Sequence, residues 1–246
     1  MPWSGLQMMK RIEKITRTLA RWCCDVRNAI APPVCPLCGT VLSEGEQCLC
    51  AGCLARAEYA GYADVACNPM EQRLERLTGR AAPAAALLLY VHGEVSGRIV
   101  SAFNSGGQRA LAEYAGGLLG RAVVDSGRFA GYDVLIPVPL HPERWKHRGY
   151  NQAAELCKGM CATHPWQVQD VLVRRVATHE QASLGRAERL ANARDVFALR
   201  AGACVQGCDV LLVDDVFTTG TTVSSAANAL YRAGARSVAV VCLCAG

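Results

Sequence analysis

The stretch VLLVDDVFTTGTT, residues 210–222, carries the strongest structural signal in the chain. It opens with an apolar run of strand length, and two carboxylates, Asp214 and Asp215, follow directly. Small hydroxyl residues and Gly220 come next, and the pattern from Thr221 onward predicts a helix. A buried strand, a short loop and a helix in this order are typical of parallel α/β sheets, whose ligands lie beyond the carboxyl ends of the strands.

The chemistry of this stretch suits a sugar phosphate. Backbone N–H groups at a helix start, at the positive end of the helix dipole, bind phosphate, and a glycine lets the backbone approach closely. The two carboxylates are placed to accept hydrogen bonds from vicinal sugar hydroxyls. A nucleotide-triphosphatase site would need G-x-x-x-x-G-K-[ST], and the sequence contains neither that motif nor G-x-G-x-x-G.

Residues 210–222 resemble the phosphoribosyl-pyrophosphate (PRPP) loop of type I phosphoribosyltransferases. The resemblance implies that Asp214 and Asp215 hold the 2′ and 3′ hydroxyls of the ribose. Phe217 is bulkier than the aliphatic residue that is usual there. The residues that the resemblance assigns to the 5-phosphate are Thr218, Thr219, Gly220, Thr221 and Thr222.

Strands and helices alternate from about residue 86 to the end of the chain. Because the predicted strands are continuous apolar runs, they favour a parallel sheet flanked by helices, an α/β fold. The predicted strands cover residues 86–91, 133–138, 171–173, 210–213 and 238–244. The predicted helices cover residues 107–124, 151–162 and 221–233.

A second informative segment, residues 136–152, follows a predicted strand and opens a helix. It carries the cations Arg144, Lys146 and Arg148, and the planar fork of an arginine suits a diphosphate group. Asn151 and Gln152 fall where amides and first-turn N–H groups reach an anion, although helix capping would also explain such residues. The residues predicted to bind substrate in this segment are Arg144, Arg148, Asn151 and Gln152.

The chain contains 14 cysteines, which in a reducing compartment are thiols or metal ligands rather than disulfides. Cys35, Cys38, Cys50 and Cys53 form two C-x₂-C pairs separated by eleven residues. This spacing predicts a closed tetrahedral zinc site with a structural role. Pairing Cys48 with Cys50 is an alternative register, and unligated thiols or an iron–sulfur cluster are alternatives to zinc.

The motif PVPL…RGYNQ (residues 137–140 and 148–152), a Thr-x-x-Gln…Arg-x-x-Asn pattern over residues 178–192 and the cysteine pairs together resemble the ComF family, also called GntX-like proteins. The resemblance covers most of the chain from about residue 35. It implies a four-cysteine zinc ribbon joined to a type I phosphoribosyltransferase fold that binds PRPP with Mg²⁺. The family usually places a lysine about where Asn104 lies, and its absence here predicts either weaker PRPP binding or the substitution of another cation. In type I enzymes a hood precedes the PRPP strand, and the hood candidates are Gln181, Arg186, Arg189 and Asn192.

Composition bounds the organisation of the chain. With 51% hydrophobic and 19% charged residues among 246, the sequence excludes wholesale disorder. We predict no transmembrane helix, because no apolar run reaches about 20 residues, no signal peptide and a cytoplasmic location. The expected parts are a basic amphipathic helix (1–30), a zinc ribbon (31–67), a linker (68–85) and a phosphoribosyltransferase-like domain (86–246). The helix is expected to dock on its own protein, with a membrane surface, DNA or a partner helix as alternatives.

Two functions fit these features. The first is a PRPP-binding phosphoribosyltransferase, in which the protein supplies orientation and preorganised charge. No catalytic residue is assigned, and nothing in the sequence names the acceptor. The alternative is a non-catalytic PRPP-responsive or single-stranded-DNA-binding module. The family resemblance implies a link to competence and DNA uptake, with PRPP, single-stranded DNA and competence proteins as expected partners. The net charge of +5 permits phosphate-rich ligands but does not select among them.

Overall fold

The computed structural model describes residues 9, 15, 16, 31–104, 108–175 and 196–246, with only the backbone at residues 142, 144 and 147. Most of the predicted N-terminal helix and all four hood candidates, Gln181, Arg186, Arg189 and Asn192, lie outside the described residues. The chain divides into two compact units, residues 1–51 and 52–246. No helix in the described part of the chain has the length and apolar character needed to cross a bilayer.

The described part of the first unit is a tight, turn-rich segment. Val34 and Val41 form an antiparallel bridge. Between them the Cys35 N–H donates to the Thr40 carbonyl oxygen, and the Gly39 N–H returns to the Cys35 carbonyl oxygen, both at 2.8 Å. The chain therefore reverses within six residues, which brings the first cysteine pair into one knuckle.

The second unit is an α/β domain. Its strands are β1 (Ala84–Leu89), β2 (Val134–Pro137), β3 (Gln167–Val168), β4 (Leu172–Arg174), β5 (Phe197–Leu199), β6 (Asp209–Phe217) and β7 (Ser237–Ala245). Its helices are α1 (Ala51–Ala55, which begins at the unit boundary), α2 (Pro69–Thr78), α3 (Val95–Asn104), α4 (Arg109–Asp125), α5 (Pro142–Arg148), α6 (Gln152–Cys161) and α7 (Thr221–Arg232).

Five of the strands form a parallel sheet in the order β1-β7-β6-β2-β3. The predicted parallel α/β fold is therefore confirmed. The central strand β7 and the Val210–Val213 part of β6 are apolar and buried because helices cover both faces of the sheet. The edge strand β1 is covered by residues 58–60, where the Leu89 N–H donates to the Glu58 carbonyl oxygen at 2.7 Å.

Alternate residues of the strands belong to different faces of the sheet. Val210 and Leu212 pack in a buried cluster with α2, α7 and the short antiparallel hairpin β4–β5. Helices α4 and α6 pack closely against each other, and α6 also contacts β6 and β2. This helix pair is brought together by glycines: a Cβ atom on Gly159 of α6 would collide with the Glu113 carbonyl oxygen of α4.

Several elements were absent from the sequence-based expectations. Helix α5 was not among the predicted helices, and β3 and β5 are too short to give a periodic signal. The strand predicted at 171–173 exists as β4, but it pairs antiparallel with β5 outside the main sheet. Strand β6 extends through Asp214 and Asp215 to Phe217, four residues past the predicted end.

Candidate functional site

The candidate site lies where strand β6 extends beyond the end of its neighbour β2. Pairing of the two strands ends at Pro137 and Val213, after which the Val138 N–H donates to the Val213 carbonyl oxygen at 2.9 Å. β6 then continues alone on this side. In an open parallel sheet, the crevice between strands whose connections diverge is where ligands bind.

A cavity of about 390 Å³ opens at this position. Its walls come from the end of β6, the start of α7, the β2–α6 connection, α3 and the end of β4. The residues that line it are Tyr90, Val100, Asn104, Val138, Pro139, Leu140, His141, Arg148, Asn151, Gln152, Ala153, Arg174, Asp214, Asp215, Val216, Thr218 and Thr222. The two motifs that the sequence singled out therefore meet in one cavity.

The carboxylates of Asp214 and Asp215 line the cavity and are partly buried. One Asp214 oxygen accepts from the Asp215 N–H at 2.9 Å, and one Asp215 oxygen accepts from the Val216 N–H at 2.8 Å. Burial, reinforced by the negative charge of Asp215, raises the pKa of Asp214 well above its usual value. A ligand with hydroxyl groups would supply further hydrogen-bond donors to these carboxylates.

The loop after β6 presents the start of α7. Gly220 is the N-cap in a left-handed conformation (φ 74°), and no side chain caps the helix. The Thr221 N–H donates to the Thr219 hydroxyl oxygen at 3.4 Å, and the N–H groups that follow it in the first turn are placed for an external acceptor. The hydroxyl oxygens of Thr219 and Thr221 lie 2.9 Å apart. Thr218 and Thr222 line the cavity, and the loop arrangement is the one that binds phosphate groups at helix starts.

The lining of the cavity also includes basic residues. Arg148, from the C-terminal end of α5, and Arg174, from the end of β4, both line the cavity. Only the backbone of Arg144 is described, so its predicted role stays a prediction. The Arg174 guanidinium lies 5.6 Å from the Phe197 ring centroid, and its charge acts on Asp214. The signal that would have found it is a basic residue directly after a short strand.

Asn151 and Gln152 are buried in the cavity wall. The Asn151 side chain caps α6 by accepting from the Ala153 N–H at 3.1 Å, and its amide nitrogen donates to the Val138 carbonyl oxygen at 3.0 Å. The capping explanation of Asn151 is therefore present in the structure alongside its place in the cavity. Gln152 donates to the Phe103 carbonyl oxygen at 3.4 Å, and its own amide oxygen has no partner among the described residues.

Asn104, the last residue of α3, also lines the cavity. This is the position at which the family resemblance leads to the expectation of a lysine. The structure thus places the departure from the family pattern directly at the site. A neutral amide stands where a cation would face an anionic ligand.

The four predicted cysteine ligands are grouped. The sulfur atoms of Cys35, Cys38, Cys50 and Cys53 all lie within 4.8 Å of one another. A tetrahedral zinc site with Zn–S bonds of 2.3 Å has sulfurs about 3.8 Å apart, so the donor set and its spacing fit zinc. Hydrogen bonding with Thr40 lowers the pKa of Cys38 to about 6. Cys48 is not part of the group, and burial raises the pKa of its thiol.

Comparison with known proteins places these features in a family. The DNA utilization protein YhgH of Escherichia coli O157:H7 is 30% identical to this chain over 234 residues, which are 87% of this chain and 97% of that protein. Competence protein ComFC of Streptococcus pneumoniae is 31% identical over 104 residues, which are 42% of this chain and 44% of that protein. The chain belongs to the ComF family.

The phosphoribosyl transferase domain model matches residues 149–246 of this ComF protein. The matched stretch runs from α6 to the end of β7 and includes the carboxylate pair and the loop at the start of α7. The domain therefore has the type I phosphoribosyltransferase fold, and the four-cysteine cluster before it is consistent with a zinc ribbon.

Solved structures are similar at a lower level. Glutamine PRPP amidotransferase from B. subtilis, complexed with ADP and GMP, has a TM-score of 0.40 and 20% identity, covering 54% of this chain and 26% of that chain. A lysine-to-arginine mutant of hypoxanthine phosphoribosyltransferase from Trypanosoma cruzi, complexed with the product IMP, has a TM-score of 0.36 and 15% identity, covering 56% of this chain and 64% of that chain.

Proposed function

We propose that this ComF protein binds PRPP together with Mg²⁺ in the cavity between β6 and β2. The observation that carries the proposal is that a carboxylate pair, an uncapped helix start and two arginines, Arg148 and Arg174, line or border one cavity. The carboxylates suit ribose hydroxyls, the helix start suits a phosphate monoester, and the arginines suit a diphosphate.

The assignment of groups follows from the order of these elements. Asp214 and Asp215 would accept from the ribose hydroxyls, and Thr218, Thr219, Gly220, Thr221 and Thr222 would surround the 5-phosphate. Mg²⁺ bound together with the ligand would neutralise charge on the leaving group. The four grouped cysteines would hold a structural zinc ion. A chain with this many thiols suits the reducing conditions of the cytoplasm, where we place the protein.

Phosphoribosyl transfer is the reaction that such a site supports. The bond from ribose C1 to the pyrophosphate oxygen breaks, pyrophosphate leaves with the electron pair, and a nucleophilic acceptor forms the new bond to C1. The protein's part is to orient the ribose and to stabilise charge. A screen of nucleobases and amines for pyrophosphate release is the test of this step.

Calorimetric titration with PRPP and Mg²⁺ tests the binding proposal. Wild-type protein should bind PRPP, and the double variant Asp214→Asn with Asp215→Asn should lose that binding. Asp209→Asn is the matched control, because Asp209 is on the same strand outside the cavity and pairs with Arg236. Absence of PRPP binding to wild-type protein at millimolar ligand would overturn the proposal.

One observation favours a second function, binding of single-stranded DNA. Trp145 on α5 is 52% exposed, and Lys146, also exposed, and Arg148 follow it on the same helix. An exposed aromatic ring beside basic residues suits base stacking next to phosphate contacts. Trp145→Ala should then weaken oligonucleotide binding, Tyr59→Ala should not, and affinity should fall steeply with salt. An oligonucleotide affinity that changes neither in Trp145→Ala nor with the salt concentration would exclude this function.

A further inference from the structure

Helix α2 contacts the loop at the start of α7 at two successive residues. The Arg73 Nε donates to the Thr219 carbonyl oxygen at 2.9 Å. The Leu77 Cδ1 lies 3.2 Å from the position a Cβ atom on Gly220 would take. Residues 68–85 read from the sequence as a linker, yet this part of the chain supplies a wall of the phosphate loop from 146 residues away.

The helix that carries Arg73 is fixed firmly to the sheet. Asn68 caps it by accepting from the Met70 N–H at 3.0 Å and donates to the Ala84 carbonyl oxygen of β1 at 2.7 Å. Glu71 accepts from the Ala84 N–H at 3.0 Å. Met70 and Leu74 are buried in the core beneath the helix. Arg73 therefore extends from a rigid base toward the loop.

The contact holds one peptide unit in a defined orientation. In a trans peptide the C=O and N–H groups point in opposite directions, and the described chain has no cis peptide bonds. By holding the Thr219 carbonyl, Arg73 directs the Gly220 N–H the other way. Because glycine tolerates both signs of φ, this peptide would otherwise rotate easily and turn a carbonyl oxygen toward a bound anion.

Arg73 also brings charge to the loop. Its Nε is used by the carbonyl, and its two Nη groups find no acceptor among the residues that the structure describes. The side chain is exposed, so its positive charge faces solvent beside the loop. A guanidinium in this position favours an anionic group at the helix start.

We propose that Arg73 is a positioning residue for residues 218–222, which fixes the Thr219–Gly220 peptide and favours a sugar phosphate monoester there. The identity of the ligand rests on the proposed PRPP function, whereas the fixing of the peptide does not. Two measurements on the full-length protein separate these parts.

The first measurement needs no ligand. Amide nitrogen relaxation of Gly220 should report a rigid peptide in wild-type protein, with an order parameter of about 0.85, and a flexible one in Arg73→Gln, below about 0.6. Arg76→Gln is the matched control, since Arg76 is an exposed residue of the same helix and carries the same charge. An unchanged Gly220 order parameter in Arg73→Gln would overturn the positioning role.

The second measurement is a titration with Mg²⁺ present, using ribose 5-phosphate, PRPP and pyrophosphate as probes. Arg73→Gln should weaken ribose 5-phosphate and PRPP by about tenfold, as expected for loss of a charged hydrogen bond, and leave pyrophosphate unchanged. Arg73→Lys should recover part of the loss, and Arg76→Gln should bind like wild-type. An equal loss in Arg73→Gln and Arg76→Gln would refute a specific role. If wild-type protein binds none of the probes, the proposed function fails, and the relaxation result still decides the positioning role.

Discussion

Asp214 of β6 and Cys242 of β7 are register partners in the parallel sheet. Burial, together with the negative charges of Asp214 and Asp215, raises the pKa of Cys242 well above its usual value. The carboxyl of Asp214 thus shares a poorly solvated part of the sheet with a neutral thiol. Burial at the end of β6 therefore disfavours the charged form of the Asp214 carboxyl, and a ligand that supplied hydrogen-bond donors would favour it.

The first prediction concerns stability and pH in the absence of ligand. Because the folded-state pKa of Asp214 is raised, the folded protein binds more protons than the unfolded chain, and this contribution to stability is lost as pH rises above the unfolded value near 4. Asp214→Asn should therefore be more stable than wild-type at pH 7, and its advantage should shrink toward pH 4. Urea unfolding between pH 4 and pH 8 measures this.

Asp209→Asn should behave in the opposite way. The hydrogen bond from Arg236 lowers the pKa of Asp209, so its stabilisation is present at neutral pH and is lost as pH falls through the folded-state pKa. This variant should be less stable than wild-type at pH 7, with a smaller difference under acid conditions. A destabilised Asp214→Asn at pH 7 would contradict the unfavourable burial of that carboxylate.

The second prediction concerns the zinc ligands. Metal analysis of purified protein should find one zinc ion per chain, and Cys53→Ser should lose it, because a closed site needs all four thiolates. Cys48→Ser should keep zinc, since Cys48 is outside the sulfur cluster. Retention of zinc in Cys53→Ser with loss in Cys48→Ser would instead support the alternative register.

The third prediction concerns the contact of α4 with α6. Gly159→Ala should destabilise the protein by about 3 kcal/mol, since the new methyl group collides with the backbone of α4. Gly117→Ala is the control on α4 itself, because the nearest atom to its Cβ is the Gly159 carbonyl oxygen at 3.7 Å, an ordinary contact. That variant should be neutral or up to about 1 kcal/mol more stable, from helix propensity. Chemical denaturation measures the stability of both variants. Equal changes in Gly159→Ala and Gly117→Ala would show that α4 and α6 move apart freely to accommodate the added methyl group.

The fourth prediction concerns the missing lysine. Asn104→Lys adds a cation to the cavity wall and should tighten PRPP binding about fivefold, a typical gain for one partly exposed charged contact. Gln167→Lys adds the same charge on exposed β3, outside the cavity, and should leave PRPP affinity unchanged. Calorimetry at two salt concentrations distinguishes a local contact from a general charge effect. Equal gains in both variants would argue against a role for position 104.

Local sequence was enough to predict the core of the site. The strand, carboxylate pair, loop and helix at 210–222 are consecutive in the chain, so local sequence patterns are enough to identify each of them and their order. The same holds for the cysteine pairs, whose two-residue spacing sets the knuckle geometry. The sequence predicted that Asn151 lies at the site. It did not predict that the Asn151 side chain both caps α6 and donates to the Val138 carbonyl oxygen, because that hydrogen bond joins segments thirteen residues apart.

What the sequence by itself determined is therefore the alternation of strands and helices, the phosphate-suited loop and the four candidate metal ligands. Only the tertiary structure decided that Arg174 and Asn104 line the cavity that holds Asp214, and that Arg73 holds the loop. The physical reason is that these relationships depend on which strands pair and where helices pack. Burial and close packing of distant segments set them, and no local periodicity records such contacts.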